Sequence, residues 1–219
     1  MNIADKNTYL LDLVKEMNLH WPQNRTINIV CHGHSVPSGY FATPMVDTFN
    51  AYPHMIHKGL KERFPFAVIN VIVTAVGGET SEPGLKRFEN EVLCHLPDIL
   101  TIDYGLNDRT IGLERAEASL SSMIEQSLKR NIKILLLTPT MDIGEAVCEK
   151  VTDLILHADL TRKLARKYEV GLVDSYARFQ NYIKNEGELS DLLSWGNHPN
   201  RRGHELVRDE FLRWVPIVY

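Results

Sequence analysis

The stretch TINIVCHGHSVPSG, residues 26–39, changes character near its midpoint. Residues 26–31 form a nearly continuous apolar run, which is typical of a strand covered on both faces in a parallel sheet. The residues that follow are rich in Gly, Pro and Ser, and this composition predicts a tight loop. Ser35 lies in that loop, directly behind the predicted strand. It is therefore either a nucleophile at the end of a strand or an ordinary turn residue.

Runs of the same apolar kind recur along the chain and alternate with helix-like segments. The further strand candidates are residues 66–75, 98–104, 132–138 and 170–174. Helices are predicted from about residue 53, after residue 81, and over 113–130, 147–168, 175–184 and 200–213, with an amphipathic helix at the N-terminus. Strict alternation of this kind predicts a three-layer α/β/α fold with a five-stranded parallel sheet. No repeat or linker interrupts the pattern, so residues 1–219 are predicted to form one domain.

The composition excludes several classes of function. The 219 residues are 44% hydrophobic and 24% charged, with a formal net charge of -4 and no basic block, so nucleic acid is not an expected partner. No apolar run approaches the ~20 residues that span a bilayer, so no membrane partner is expected. The N-terminus lacks a basic segment followed by an apolar core, which predicts a cytoplasmic location. The three scattered cysteines, Cys31, Cys94 and Cys148, are expected to be reduced thiols.

Residues with catalytic potential follow several of the predicted strands. In doubly wound sheets the ligand crevice lies beyond the carboxyl ends of the strands. Ser35 offers a hydroxyl there, Gly78 an unobstructed backbone N–H, and Asn107 an amide, while His198 supplies an imidazole from a late loop. Attack of a serine on a carbonyl needs a nucleophile, a base and donors for the oxyanion. We expect these four residues to converge on one edge of the sheet.

Four sequence blocks in this order resemble the SGNH hydrolases, the GDSL-type esterase and lipase superfamily. The blocks are Gly33-His34-Ser35, Gly77-Gly78-Glu79-Thr80-Ser81, Gly105-Leu106-Asn107-Asp108, and His198-Pro199-Asn200 followed by Gly203-His204. The resemblance implies a flavodoxin-like strand order, 2-1-3-4-5. It also implies that Ser35 is the nucleophile and His198 the general base. The oxyanion donors implied are the N–H groups of Ser35 and Gly78 and the side chain of Asn107.

Two positions depart from the pattern of that superfamily. The first block usually reads Gly-Asp-Ser, and His34 is expected to replace the aspartate in a structural role within the turn. The superfamily often has an aspartate three residues before the histidine, where this chain has Trp195. The group that orients His198 is then either Asp191 or a main-chain carbonyl of Ser194 or Trp195. The carbonyl is favoured, because using Asp191 would need a rearranged loop.

The substrate class is a separate expectation. The superfamily includes carbohydrate acetylesterases, lysophospholipases, thioesterases and arylesterases, and this chain has no large apolar lid insertion. A small acyl ester, such as an acetylated sugar, is predicted. Tyr40 and Trp195 are candidates for stacking on the sugar, and Arg109 for a polar part of the substrate. The alternatives are a lysophospholipase or thioesterase, and a carbohydrate-binding domain without catalytic activity.

No cofactor or metal is expected. The first turn lacks a dinucleotide fingerprint and the chain lacks a phosphate-binding loop motif. His54 and His57 share a helical face without a diagnostic third ligand, and His32 and His34 should point apart at the end of their strand. His204 is expected to pack or to cap, and Asp108 to be structural. The oligomeric state does not follow from these patterns.

Overall fold

The protein is described by a computed structural model over residues 2–144 and 151–217. Its centre is a five-stranded sheet in the order β2-β1-β3-β4-β5, with every neighbouring pair parallel. The strands are β1 (Thr26–Gly33), β2 (Val68–Val73), β3 (Ile99–Asp103), β4 (Lys133–Leu137) and β5 (Gly171–Val173). All five lie where the apolar runs predict them, and the order is the one that the resemblance implied.

Helices cover the sheet and complete a three-layer α/β/α architecture. They are α1 (Leu11–Met17), α2 (Ser35–Ser38), α3 (Tyr52–Arg63), α4 (Ser81–Lys86), α5 (Phe88–Glu91), α6 (Leu113–Leu128), α7 (Asp153–Tyr168), α8 (Ser175–Asn185) and α9 (Arg201–Leu212). One layer is a contiguous set of α3, α9 and α8, and another is formed by α4, α6 and α7. Of the helix predicted over 147–168, residues 147–150 lie outside the described residues, as does Cys148.

Burial along the strands explains why their sequences look alike. All five residues of β3 are buried, because the strand is central and helices cover both of its faces. The edge strand β2 alternates more, with Val68 and Asn70 exposed and Ile69 buried. Trp214 closes the core near the other edge, where its indole N–H donates to the carbonyl of Leu172 at 3.0 Å. None of the helices described has the length and apolar character needed to cross a bilayer.

The end of β1 is shaped to bring its following turn against β3. A Cβ placed on Gly33 would lie 2.3 Å from the carbonyl oxygen of Asp103, so only glycine fits at this position. The register pairs Gly33 with Asp103 on the adjacent strand. This close approach sets where the turn carrying Ser35 begins.

Candidate active site

Ser35 is the first residue of the short helix α2, immediately after β1. The imidazole of His34 caps this helix, since its Nδ1 accepts the N–H of Val36 at 3.2 Å. The helix ends at Gly39 in a left-handed conformation with φ 88°, which favours glycine. The side chain of Ser35 is buried, and it lies just beyond the carboxyl end of β1. The cap on Val36 gives His34 a structural role in the turn, as expected.

His198 lies directly against Ser35. Its Nε2 is 3.0 Å from Ser35 Oγ, and its Nδ1 is 2.8 Å from the carbonyl oxygen of Phe41. Because a carbonyl oxygen can only accept, Nδ1 must carry the proton and Nε2 is left to accept from the hydroxyl. Burial holds the pKa of His198 below its ordinary value, although the Phe41 carbonyl raises it. A neutral imidazole with its lone pair aimed at a hydroxyl is the arrangement of a general base.

The predicted orienting groups for His198 are wrong. Asp191 instead accepts the N–H of Glu188 at 2.9 Å, as part of a capping box on the 3₁₀ turn Leu189–Leu192. Ser194 donates from its N–H and Oγ to the carbonyl of His198, and Nδ1 of His198 is bonded to Phe41. The expectation of a main-chain carbonyl is correct in kind, but the carbonyl belongs to a loop more than 150 positions away in sequence.

Two further loops bring the expected oxyanion donors to the same edge. Gly78 has a left-handed φ of 78°, and a Cβ built on it would meet nothing within 4 Å. Within residues 2–144 and 151–217, the backbone N–H groups of Ser35 and Gly78 have no hydrogen-bond acceptor. Asn107 uses one amide hydrogen to bond the carbonyl of Glu79 at 3.0 Å, which joins its loop to the Gly78 loop. Its second amide hydrogen remains for a ligand.

A buried polar chain supports the Gly78 loop, and it was not foreseen from the sequence. The carboxylate of Glu79 accepts from Arg87 at 2.5 and 2.9 Å and from the Tyr104 hydroxyl at 2.7 Å. The Tyr104 hydroxyl lies 3.0 Å from Nε2 of His32, whose Nδ1 is 3.1 Å from the hydroxyl of Thr74. Burial would raise the pKa of Glu79, but its bonds to Arg87 and Tyr104 hold that pKa below the ordinary value. In the sequence, Glu79 is recognised only as the acidic residue of the second block, and nothing there indicates its bonds to Arg87 and Tyr104.

Asp108 ties the third block to α4. Its Oδ1 accepts the N–H of Ser81 at 2.7 Å, and Thr80 is the N-cap residue of α4. Burial raises the pKa of Asp108 to about 6. The carboxylate thus caps a neighbouring helix, which fits the structural role expected for it.

The three candidate substrate contacts are placed differently from one another. The Tyr40 ring lies 6.1 Å from the His198 ring and packs over Gly77. Trp195 is 64% exposed and lines an open groove of about 1130 Å³ with Met141, Ile143 and Leu193. Arg109 is already engaged, with Nη1 2.7 Å from Asp142 and Nε bonded to its own loop. Its charge is therefore balanced within the protein.

The remaining histidines do not gather around a metal. Nδ1 of His204 accepts the N–H of Tyr52 at 3.2 Å, and burial lowers the pKa of His204 to about 3. His32 points into the buried chain below Gly78, away from His34. Across the part of the chain that the structure describes, no three His, Cys, Asp or Glu side chains are grouped so that they could hold a metal ion.

Comparisons with known proteins point in one direction. The model of the GDSL-like lipase/acylhydrolase family matches residues 31–206. An acetylxylan esterase of Geobacillus stearothermophilus is 24% identical over 169 residues, which are 71% of this chain and 76% of that protein. The crystal structure of an acetylxylan esterase from the same organism superposes with a TM-score of 0.76 at 21% identity, covering 88% of this chain and 95% of the other. A GDSL-like lipase structure from Parabacteroides merdae has a TM-score of 0.75 at 18% identity, covering 88% and 96%.

Proposed function

The chain belongs to the GDSL-like lipase/acylhydrolase family and is a carboxylic ester hydrolase, and on that premise we propose that it removes acetyl groups from a carbohydrate or similar polar alcohol. The reaction proceeds through an acyl-enzyme on Ser35. The observation that carries this proposal is the 3.0 Å contact between Ser35 Oγ and a His198 ring whose other nitrogen is held by Phe41.

In the first half-reaction, Nε2 of His198 takes the proton from Ser35 as Oγ attacks the ester carbon. The N–H groups of Ser35 and Gly78, which have no acceptor within the described residues, and the second amide hydrogen of Asn107 stabilise the oxyanion. The imidazolium then returns its proton to the leaving alcohol, and the bond between the carbonyl carbon and that alcohol breaks. In the second half, His198 takes a proton from water as the water oxygen attacks the acyl carbon. The bond from that carbon to Oγ then breaks, and the imidazolium returns its proton to Oγ of Ser35 as the acid is released.

The group that orients the base is neutral here, whereas in a Ser-His-Asp triad it is a charged aspartate. A triad aspartate fixes the imidazole and also stabilises the imidazolium that forms. The Phe41 carbonyl fixes the same tautomer with a dipole in place of a full charge. We therefore expect the oxyanion donors to carry a larger share of the transition-state stabilisation.

The substrate class rests on the relatives and on the groove. The matched relative is named as an esterase of acetylated xylan, and the groove, which neither Ser35 nor His198 lines, presents the exposed ring of Trp195. Aromatic faces stack on the apolar faces of ligands and leave polar edges free. A second candidate, hydrolysis of longer acyl chains, is favoured by the aliphatic side chains of Met141, Ile143, Ile183 and Leu193 in the same groove.

The mechanism is tested with Ser35→Ala and His198→Ala on p-nitrophenyl acetate. We expect each to lower kcat by about 10³-fold or more. Ser119→Ala is the matched control, because Ser119 is a buried serine on α6. A fluorophosphonate should label the wild type and Ser119→Ala but not Ser35→Ala. Full activity in either active-site variant would rule the mechanism out, and absence of labelling would favour a domain that only binds carbohydrate.

The substrate is tested with two panels of esters. Acetylated mono- and oligosaccharides are compared with C8–C16 acyl esters under the same conditions. A higher kcat/KM on the acetylated sugars, reduced by Trp195→Ala through KM, supports the first candidate. A kcat/KM that rises with acyl length supports the second.

A further inference from the structure

The ring of His34 stands between the hydroxyl of Ser35 and the carboxylate of Asp103. His34 Nδ1 is 3.5 Å from Ser35 Oγ, and its Nε2 is 3.4 Å from Asp103 Oδ1. We propose that Asp103, acting through His34, is a positioning residue that fixes the turn carrying the nucleophile. This inference rests on the proposed role of Ser35.

The proton on His34 is assigned by its contacts. Nδ1 accepts the N–H of Val36 at 3.2 Å, so Nδ1 is bare in the neutral ring. The proton of the neutral ring is then on Nε2, which lies 3.4 Å from Oδ1 of Asp103, an ion-pair distance, and makes no hydrogen bond to any residue that the structure describes. A nearby acceptor for the second ring nitrogen is what selects one imidazole tautomer over the other.

Asp103 matters because the alternative tautomer would disrupt the turn. With the proton on Nδ1, two donors would face each other across the 3.2 Å between His34 and Val36, and the cap on α2 would be lost. His34 and Asp103 are only 1% and 3% exposed, so bulk water is a poor substitute for the carboxylate.

The other contact of Asp103 lies outside the reacting atoms. Its Oδ2 is 3.4 Å from the Tyr52 hydroxyl, at the start of α3. The two oxygens of one carboxylate therefore serve two elements, of which only one leads to Ser35. Tyr52→Phe removes the second contact and supplies a matched control for variants of Asp103.

The first test uses Asp103→Leu and Asp103→Asn, with kcat and KM for p-nitrophenyl acetate and the rate of fluorophosphonate labelling. Asp103→Leu removes the acceptor, and we expect kcat and the labelling rate to fall by about 10–100-fold, with KM changed less than about twofold. A displacement of about 1 Å in a reacting group costs a comparable factor. Asp103→Asn keeps an oxygen for Nε2–H and should lose less than about fivefold. Tyr52→Phe should stay within about twofold of wild type.

A second pair of variants remains informative if Asp103→Leu does not fold. His34→Asp can still cap Val36, but it brings a second carboxylate into the buried pocket of Asp103. We expect the thermal midpoint and kcat of His34→Asp to fall, and the double variant with Asp103→Asn to recover at least about tenfold in kcat.

Several outcomes would overturn the inference. These are unchanged kcat in Asp103→Leu, an equal loss in Tyr52→Phe, no difference between the leucine and asparagine variants, and no recovery in the double variant. If Ser35→Ala itself keeps activity, the proposed function fails instead. The two failures are thus distinguishable in one set of assays.

Discussion

Removing the carboxylate of Asp191 should cost stability and leave catalysis nearly intact. From its place before His198 in sequence, Asp191 could be the acid of a triad. Its Oδ2 instead accepts the N–H of Glu188 at 2.9 Å and lies 3.3 Å from the Tyr182 hydroxyl. The position that an acid would occupy beside Nδ1 of His198 is taken by the carbonyl of Phe41.

The two roles predict very different magnitudes for Asp191→Ala. Loss of a triad acid lowers the rate by about 10⁴-fold, which corresponds to about 5 kcal/mol of barrier. Loss of a helix cap costs about 0.5–2 kcal/mol of the free energy of unfolding, and the exposure of Asp191 places it near the lower end. In a domain of this size the thermal midpoint should fall by roughly 1–4 °C.

The assay combines kcat/KM on p-nitrophenyl acetate with a thermal melt of the same preparation. We expect kcat within about threefold of wild type. Asp191→Asn is the control, because its amide oxygen can still accept the N–H of Glu188 and should restore most of the thermal midpoint. A loss of 100-fold or more in kcat, with the fold intact by melting, would refute the geometry described for His198.

Three further results are expected. Because burial lowers the pKa of His198 and only its neutral form accepts a proton, the acid limb of kcat/KM should lie below pH 6.5; a limb at pH 7 or above would count against it. Gly33→Ala places a Cβ 2.3 Å from the Asp103 carbonyl oxygen, so it should lower kcat and also lower the free energy of unfolding by about 1–3 kcal/mol. Gly196→Ala is the control, because its Cβ meets its nearest atom at 3.7 Å, and its thermal melt should match that of the wild type. Glu79→Gln removes the charge facing Arg87 and should lower kcat about tenfold through the loosened Gly78 loop, while unchanged kcat would show that the loop holds without it.

The sheet could be predicted from the sequence because its cause is local. A strand covered on both faces must be apolar along its length, and β1 and β3 follow this rule closely. The meeting of Ser35 and His198 could be predicted for a related reason. Each follows a recognisable element, and parallel strands bring their carboxyl ends to one edge.

The contacts of His198 and His34 could not be predicted in the same way. Every residue has a carbonyl, so nothing in the sequence marks Phe41 as the partner of Nδ1. Asp103 lies in an apolar run that predicts only a strand, and its relation to His34 arises from the register of β1 against β3. Asp191 was considered for its chemical type, although its local capping bonds decide where it points.

Because His198 bonds a main-chain carbonyl, its orientation does not depend on which side chain residue 41 carries. Any residue at position 41 would carry the same oxygen, so no single codon change deletes it. What must be inherited is the path of the loop, held where Phe41 N–H donates to Met45 at 3.0 Å and where Tyr40 bridges Val46. Insertions and deletions between residues 40 and 46 are therefore the mutations expected to remove this orienting bond. A survey that requires an acid before the histidine would discard such chains as inactive.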